Sequence, residues 1–149
     1  MRLRLYLDTS VISGYFDARR PERQAETENF WRRLGEFNVS ISDLTQAELR
    51  GTSDERLRQQ MHDLVRPLNV IPLEADMREL ARYYLDRGIF PLAALNDALH
   101  VACAVVSRQD LLVSWNFRHL VDRRCRAMIN EANTARGYPN IEIVAPPEV

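Results

Sequence analysis

The sequence predicts an α/β fold built on a mostly parallel sheet. Short strand-like apolar runs alternate with longer helical stretches along the chain, the pattern of βαβ units. The stretch 93–108, AALNDALHVACAVVSR, is apolar almost all round, as a helix buried inside a domain must be. The length, 149 residues, suits one domain with a core of ordinary size, so residues 1–149 are expected to form a single domain.

Residues 2–8, RLRLYLD, place Leu3, Leu5 and Leu7 on one side and read as a strand ending at Asp8. Residues 10–17 read as a short helix with Val11, Ile12, Tyr15 and Phe16 on one face. Pro21 suits a helix start, and an amphipathic helix is expected over 22–37, carrying Phe30, Trp31, Leu34 and Phe37. That stripe is core by default, with a partner surface as the alternative. Asn38–Ser42 is a short strand, and Ser42 or Asp43 caps a helix over about 44–51, which Gly51 ends. A helix over 54–66, a strand at 68–73 and a helix over 75–87 follow, with Gly88 just past its end. After the apolar helix come a strand, Leu111–Ser114, a helix over about 121–135 and a last strand, Ile141–Val144, before Pro146 and Pro147 stop regular structure.

Composition narrows the chemistry. Apolar residues are 46% and charged residues 28%, as in an ordinary soluble globular protein, so disorder is not the general state. The net charge of −1 means that the chain as a whole is not a basic nucleic-acid binder. All 20 basic residues are Arg and none is Lys. GC-rich codons account for that blandly; the functional account is that guanidinium groups grip phosphate and stack on bases. The arginines cluster at Arg19, Arg20 and Arg23, at Arg32 and Arg33, and at Arg123, Arg124 and Arg126. Without Lys there is no Walker A loop and no Schiff-base chemistry. There is no G-x-S-x-G elbow, and five glycines form no dinucleotide fingerprint. Cys103 and Cys125 are too few for a disulfide framework and lack zinc spacing; Cys103, in an apolar run, is expected to be a buried thiol. No apolar run is long enough to span a membrane, and the first eight residues lack the apolar centre of a signal peptide, so the expected location is the cytoplasm.

Four residues carry the candidate chemistry. Asp8 ends the first strand, where ligand sites form in open parallel sheets; alternatively it, Thr9 or Ser10 caps the helix that follows. Glu48 is expected on the first turn of the short helix after the second strand, three residues beyond Thr45, which also fits a capping-box glutamate. Asp97 lies on the apolar helix, where a carboxylate needs a partner or a metal. Asn96 as an N-cap would make Asp97 a helix-dipole partner instead, and His100, three positions on, can pair with it. Asn116 follows the strand DLLVS and reads alternatively as a turn residue. Crowded carboxylates repel, a divalent cation relieves the repulsion, and oxygen donors suit Mg²⁺ or Mn²⁺. Such an ion activates water and neutralises a phosphodiester during in-line attack. Arg118 and His119, next to Asn116, are either phosphate contacts or a solvated loop. Trp115 and Phe117 either stack on a base or pack in the core. His62 is expected on a helix surface. An aspartate-nucleophile phosphatase would need a second Asp where Ser10 stands, and a Lys.

In order and spacing, LDTSVI around Asp8, TQAELR around Glu48, LNDALHVACA around Asp97 and LLVSWNFRHL around Asn116 resemble the PIN-domain family, from Leu7 to about Leu120. The resemblance implies a three-layer α/β/α sandwich and metal-dependent cleavage of single-stranded RNA. It implies that Asp8 and Asp97 bind Mg²⁺ or Mn²⁺ directly, that Glu48 holds the ion through water or acts as the base, and that Asn116 orients water. Thr9 or Ser10 would touch a phosphate or Asp8. Asn116 stands where many members have a fourth acid, which removes one negative charge and keeps open a second reading: a catalytically weak or inactive module binding RNA or protein. Many small members similar to this chain are VapC-type toxins of type II toxin–antitoxin pairs, so the implied partners are RNA, a small antitoxin protein and a second copy in a homodimer.

Overall fold

A computed structural model describes all residues, Met1–Val149. Five strands form one sheet: β1 (Arg4–Leu7), β2 (Asn38–Ser42), β3 (Asn69–Ile71), β4 (Leu111–Val113) and β5 (Glu142–Val144). Their order is β3-β2-β1-β4-β5 and every pairing is parallel. Seven helices connect them: α1 (Thr9–Ser13), α2 (Pro21–Arg32), α3 (Asp43–Arg50), α4 (Glu55–Val65), α5 (Ala75–Asp86), α6 (Leu95–Val106) and α7 (Arg123–Ala135).

The sheet has a core on each face. Leu5, Leu7, Val39, Ile41, Leu111 and Val113 pack with Val11, Ile12, Phe30, Leu49, Met61 and Val65, from α1 to α4. Tyr6, Leu112 and Ile143 point the other way and pack with Met77, Leu80, Tyr84, Val101, Val105 and Ile129, from α5 to α7. These are the three layers of an α/β/α sandwich. Residues i and i+2 share a face of a strand, so each apolar run serves both cores, as strands covered on both sides require.

Several boundaries differ from the sequence reading. Leu3 lies outside β1 and is exposed, because the sheet begins at Arg4. The helix expected to 37 ends at Arg32; a short 3₁₀ turn at Leu34–Glu36 follows, and only Phe30 of its stripe is fully buried. Trp31, Leu34 and Phe37 instead line a hollow of about 360 Å³ beside Asn38 and Asn69, the first residues of β2 and β3. The strand expected at 68–73 shortens to Asn69–Ile71. The apolar helix begins at Leu95 after a 3₁₀ turn at Leu92–Ala94, so Asn96 is inside it and does not cap it. Gly88 holds φ +71°, the left-handed conformation that ends α5 at little cost only with glycine. Cys103 is buried and free, and His62 is exposed on α4.

Strand order sets where function can sit. From β1 the chain steps outward through β2 to β3, then returns to lay β4 against the opposite edge of β1 and steps on to β5. The two directions part between β1 and β4. At their carboxyl ends the connections leave on opposite faces and open a crevice. Asp8 and Ser114 are the residues that follow β1 and β4 there.

Candidate active site

Asp8 anchors the crevice. Leu7 pairs with Val113, so Asp8 and Ser114 leave the sheet side by side. Ser114 Oγ donates to Asp8 Oδ2 at 2.6 Å. The Ser10 backbone N–H and hydroxyl donate to Asp8 Oδ1 at 3.0 and 2.5 Å. Asp8 therefore does cap α1, as one of the two readings expected, while its second oxygen faces β4. Ser10 Oγ in turn accepts from the Trp115 N–H at 2.9 Å, tying the end of β4 to α1. Asp8 is only 4% exposed. Burial, the largest influence, raises its pKa above the ordinary carboxylate value; His100 and the Ser10 and Ser114 hydroxyls offset it only in part.

Glu48 does not sit at the first turn of α3, and it is not the capping-box residue. The box is formed by Ser42 and Thr45, which places Glu48 one turn further in. There Glu48 Oε1 accepts from Thr9 Oγ1 at 2.7 Å and lies 2.5 Å from His100 Nε2. Burial is again the largest single influence and pushes the pKa up. The His100 hydrogen bond and charge, with Thr9 and Asn96, together outweigh it, and the net pKa lies below the ordinary value.

His100 is buried on α6 and pairs with Glu48, not with Asp97 as its spacing had suggested. Its Nδ1 lies 2.7 Å from the Tyr6 hydroxyl, which also meets Ser42 Oγ at 2.7 Å. A relay of Ser42, Tyr6, His100 and Glu48 thus runs from inside the α5–α7 core to the crevice. With Nε2–H donating to the carboxylate, Nδ1 accepts the Tyr6 hydroxyl, so every member is satisfied. Tyr6→Phe is expected to destabilise the protein by about 1–3 kcal/mol in urea unfolding, because it strips a buried acceptor of its donor. An unchanged midpoint would show that the relay holds Glu48 without Tyr6.

Asp97 lies in the first turn of α6, where the helix dipole favours a carboxylate. It is partly exposed, not enclosed as the apolar stretch had suggested. Its Oδ2 lies 2.9 Å from His119 Nδ1. Asn116 Oδ1 accepts the His119 N–H at 3.0 Å, and the Asn116 N–H donates to Ser114 Oγ at 2.9 Å. Asp8, Ser114, Asn116, His119 and Asp97 thereby form one chain of contacts, and Thr9, Glu48 and His100 form a second beside it. Arg118 is exposed, and His119, in the same turn, is partly buried against Asp97.

Contacts therefore tie together seven of the residues that the sequence singled out, Asp8, Thr9, Ser10, Glu48, Asp97, Asn116 and His119, while Arg118 is exposed beside His119 in the chain. Sequence reasoning missed Ser114 and gave His100 the wrong partner. Ser114 ends the run DLLVS, but its role depends on the β1–β4 register, which one sequence does not display.

The donors fit a hard cation in kind. They are oxygens, and Asp8, whose carboxylate burial disfavours as an anion, would gain a counter-charge from an ion. In arrangement no three Asp, Glu, His or Cys side chains form a ready cation cage; His119 contacts one oxygen of Asp97 and His100 one oxygen of Glu48. His119 occupies Oδ2 of Asp97, and Oδ1 has no hydrogen-bond partner.

Parallel strand order and an acid-rich crevice between β1 and β4 define an α/β protein with a polar site at its topological switch point. The PIN domain family model matches residues 5–119, and the chain belongs to the PIN domain family. Similar solved structures share its fold. VapBC2 from Rickettsia felis bound to a DNA fragment from their promoter matches at 16% identity and TM-score 0.58, over 96% of this chain and 98% of that one. A toxin–antitoxin complex from Klebsiella pneumoniae matches at 20% and 0.60, over 81% and 93%. VapBC-1 from nontypeable Haemophilus influenzae matches at 16% and 0.59, over 97% and 98%. Comparison with curated protein sequences gives no match. No helix is long and apolar enough to cross a membrane.

Proposed function

We propose that the chain is a divalent-metal-dependent endoribonuclease and the toxin of a type II toxin–antitoxin pair, working as a single domain across residues 1–149. The observation that carries this reading is the meeting of Asp8, Glu48, Asp97 and Asn116 around one switch-point crevice, on a chain of the PIN domain family. Neighbours described as VapBC and toxin–antitoxin complexes support the toxin role.

Asp8, Glu48, Asp97 and Asn116 would hold Mg²⁺ or Mn²⁺, which when bound makes water more acidic and neutralises phosphodiester charge. The chain's own groups do the rest. Glu48, kept ionised and oriented by His100 and Thr9, accepts the proton as the water oxygen attacks phosphorus and the bond to the leaving oxygen breaks. Ser10 and Ser114 fix both Asp8 oxygens. Thr9 keeps Glu48 in place, and the exposed Arg118 offers its guanidinium to a substrate phosphate. The protein would act in the cytoplasm as a homodimer restrained by a small antitoxin.

The test is cleavage of a labelled RNA pool with Mn²⁺, with Mg²⁺ and with EDTA. Cleavage in metal that vanishes in EDTA is the expected result; cleavage that persists in EDTA would discard the metal enzyme. Asn116 in place of a fourth acid, with His119 on Asp97 and His100 on Glu48, favours one second reading, a catalytically weak or inactive module that binds RNA or protein through this crevice. Absence of both cleavage and Mn²⁺ binding by calorimetry would select it.

A further inference from the structure

Beside the acids lies an aromatic and cationic assembly that the catalytic reading does not use. Trp115 follows Ser114 and is pinned on several sides. Its N–H donates to Ser10 Oγ, its Nε1 donates to Thr27 Oγ1 at 2.8 Å, and its ring stands so close to Gly14 that a Cβ there would meet it at 3.2 Å. Phe117 is turned back over it by a hydrogen bond from its N–H to the Trp115 carbonyl at 2.9 Å, with ring centroids 6.1 Å apart. Yet Phe117 is 49% exposed, an uncommon state for a phenylalanine held in place on both sides. The Arg23 guanidinium lies 4.9 Å from the Trp115 centroid and 5.6 Å from that of Phe117.

Arg23 is set apart from its neighbours by what it lacks. Arg19 and Arg20 are paired with Asp17, and Arg33 with Glu36. Arg23 is absent from every ion pair in the protein. Its guanidinium carbon lies within cation–π range of both rings, and its N–H groups have no partner within the chain. A guanidinium with no ion-pair partner and an exposed aromatic ring match the two halves of a nucleotide, a phosphate and a base. An acidic side chain would use Arg23 alone and leave Phe117 in water.

We infer that Phe117 and Arg23 form a nucleotide subsite beside the acidic crevice, with Phe117 stacking on an unpaired base of single-stranded RNA and Arg23 gripping a neighbouring phosphate. The inference rests on the ribonuclease reading for its substrate class. It makes Phe117 a determinant of which strands bind, because only an unstacked base can reach the ring. The assembly is joined to Asp8 through Ser10 Oγ and the Trp115 N–H, so a base stacked there positions the adjoining phosphodiester at the acids.

The test measures binding without cleavage. A short fluorescein-labelled single-stranded RNA is titrated in EDTA with the full chain and its variants, followed by anisotropy. Phe117→Ala is expected to weaken binding about tenfold and Phe117→Trp to restore it, as loss and return of one stacked base. Arg23→Gln is expected to weaken binding and to flatten the log–log salt dependence by about 0.7, one phosphate contact to a single strand. An RNA with one abasic position should bind wild type about tenfold more weakly at a single register, and at that register Phe117→Ala should add nothing further. Wild-type affinity in Phe117→Ala, or no sensitivity to an abasic residue at any position, overturns the subsite. So does a failure of the wild type to bind RNA at all. Capture of an acid-rich peptide through Arg23, indifferent to Phe117, would overturn it in favour of a protein dock. The ribonuclease reading stands or falls separately, on cleavage by the wild type in Mn²⁺.

Discussion

Asp97→Asn is expected to lower Mn²⁺-dependent RNA cleavage by about a thousandfold, the scale on which fixed charges and metal ions stabilise phosphoryl-transfer transition states. The carboxylate lies in the first turn of α6 at the mouth of the crevice, so an amide of the same shape keeps the fold and removes the charge that an ion would need. Asn still accepts a hydrogen bond from His119 through Oδ1, and unfolding should be nearly unchanged. The measurement is the single-turnover rate on a labelled RNA, with circular dichroism as the check on folding. Equal cleavage by wild type and variant would trace the activity to a contaminant and remove Asp97 from the site. The second largest effect is expected at Asp8, and it runs in opposite directions for activity and stability.

Asp8→Asn is expected to abolish cleavage on the same scale while stabilising the metal-free protein by about 1 kcal/mol, the usual sign of a site strained for function. The reason is burial. Asp8 has its pKa raised because the crevice disfavours its charged form. The folded protein therefore binds that proton more tightly than the unfolded chain. Asp8 contributes most favourably below the unfolded carboxylate pKa, and that contribution is lost as pH rises through the raised folded value. In EDTA the stability gap between variant and wild type should widen with rising pH across that window and then level off. Asn keeps an acceptor for Ser10, and the Ser114 hydroxyl can turn to accept from its amide. With Mn²⁺ the order should reverse: an ion at a hundred times its dissociation constant stabilises wild type by about 2.7 kcal/mol and the variant not at all. Thermal unfolding at several pH values, with and without Mn²⁺, checks both. A variant less stable than wild type in EDTA at neutral pH would show that the Asp8 carboxylate is a structural cap before anything else.

Much of the fold and the site is legible along the chain. LYLD shows a strand that stops at an acid, and ALHVACAVV shows a helix with no solvent face. LDTS, TQAELR, LNDALH and SWNFRH each bring a polar residue to the end of a strand or into a helix. What failed were local statements whose outcome depends on neighbours distant in sequence. His100 lies three residues after Asp97, and helix geometry makes that pair plausible. The structure instead points His100 at Glu48 and Tyr6, because its side of α6 packs on β1 and α3. Leu3 continues the alternation of Leu5 and Leu7, but the pattern cannot show where the sheet starts. The helix over 22–37 stops at Arg32 because the chain must turn to enter β2, a demand set by the sheet and not by local propensity.

The sequence by itself determined that this is an α/β protein of mostly parallel strands, that an acid ends the first strand and others lie on helices, and that lysine chemistry is absent, because periodicity and composition are local properties. Only the tertiary structure decided that Asp8 and Ser114 are adjacent, that Glu48 answers to His100 and Asp97 to His119, and that Arg23 lies over Trp115 and Phe117. Those pairs join residues 106, 52, 22 and 92 to 94 positions apart. Their meeting depends on strand register and on which face each crossover covers, and both are settled by packing the two cores against the sheet.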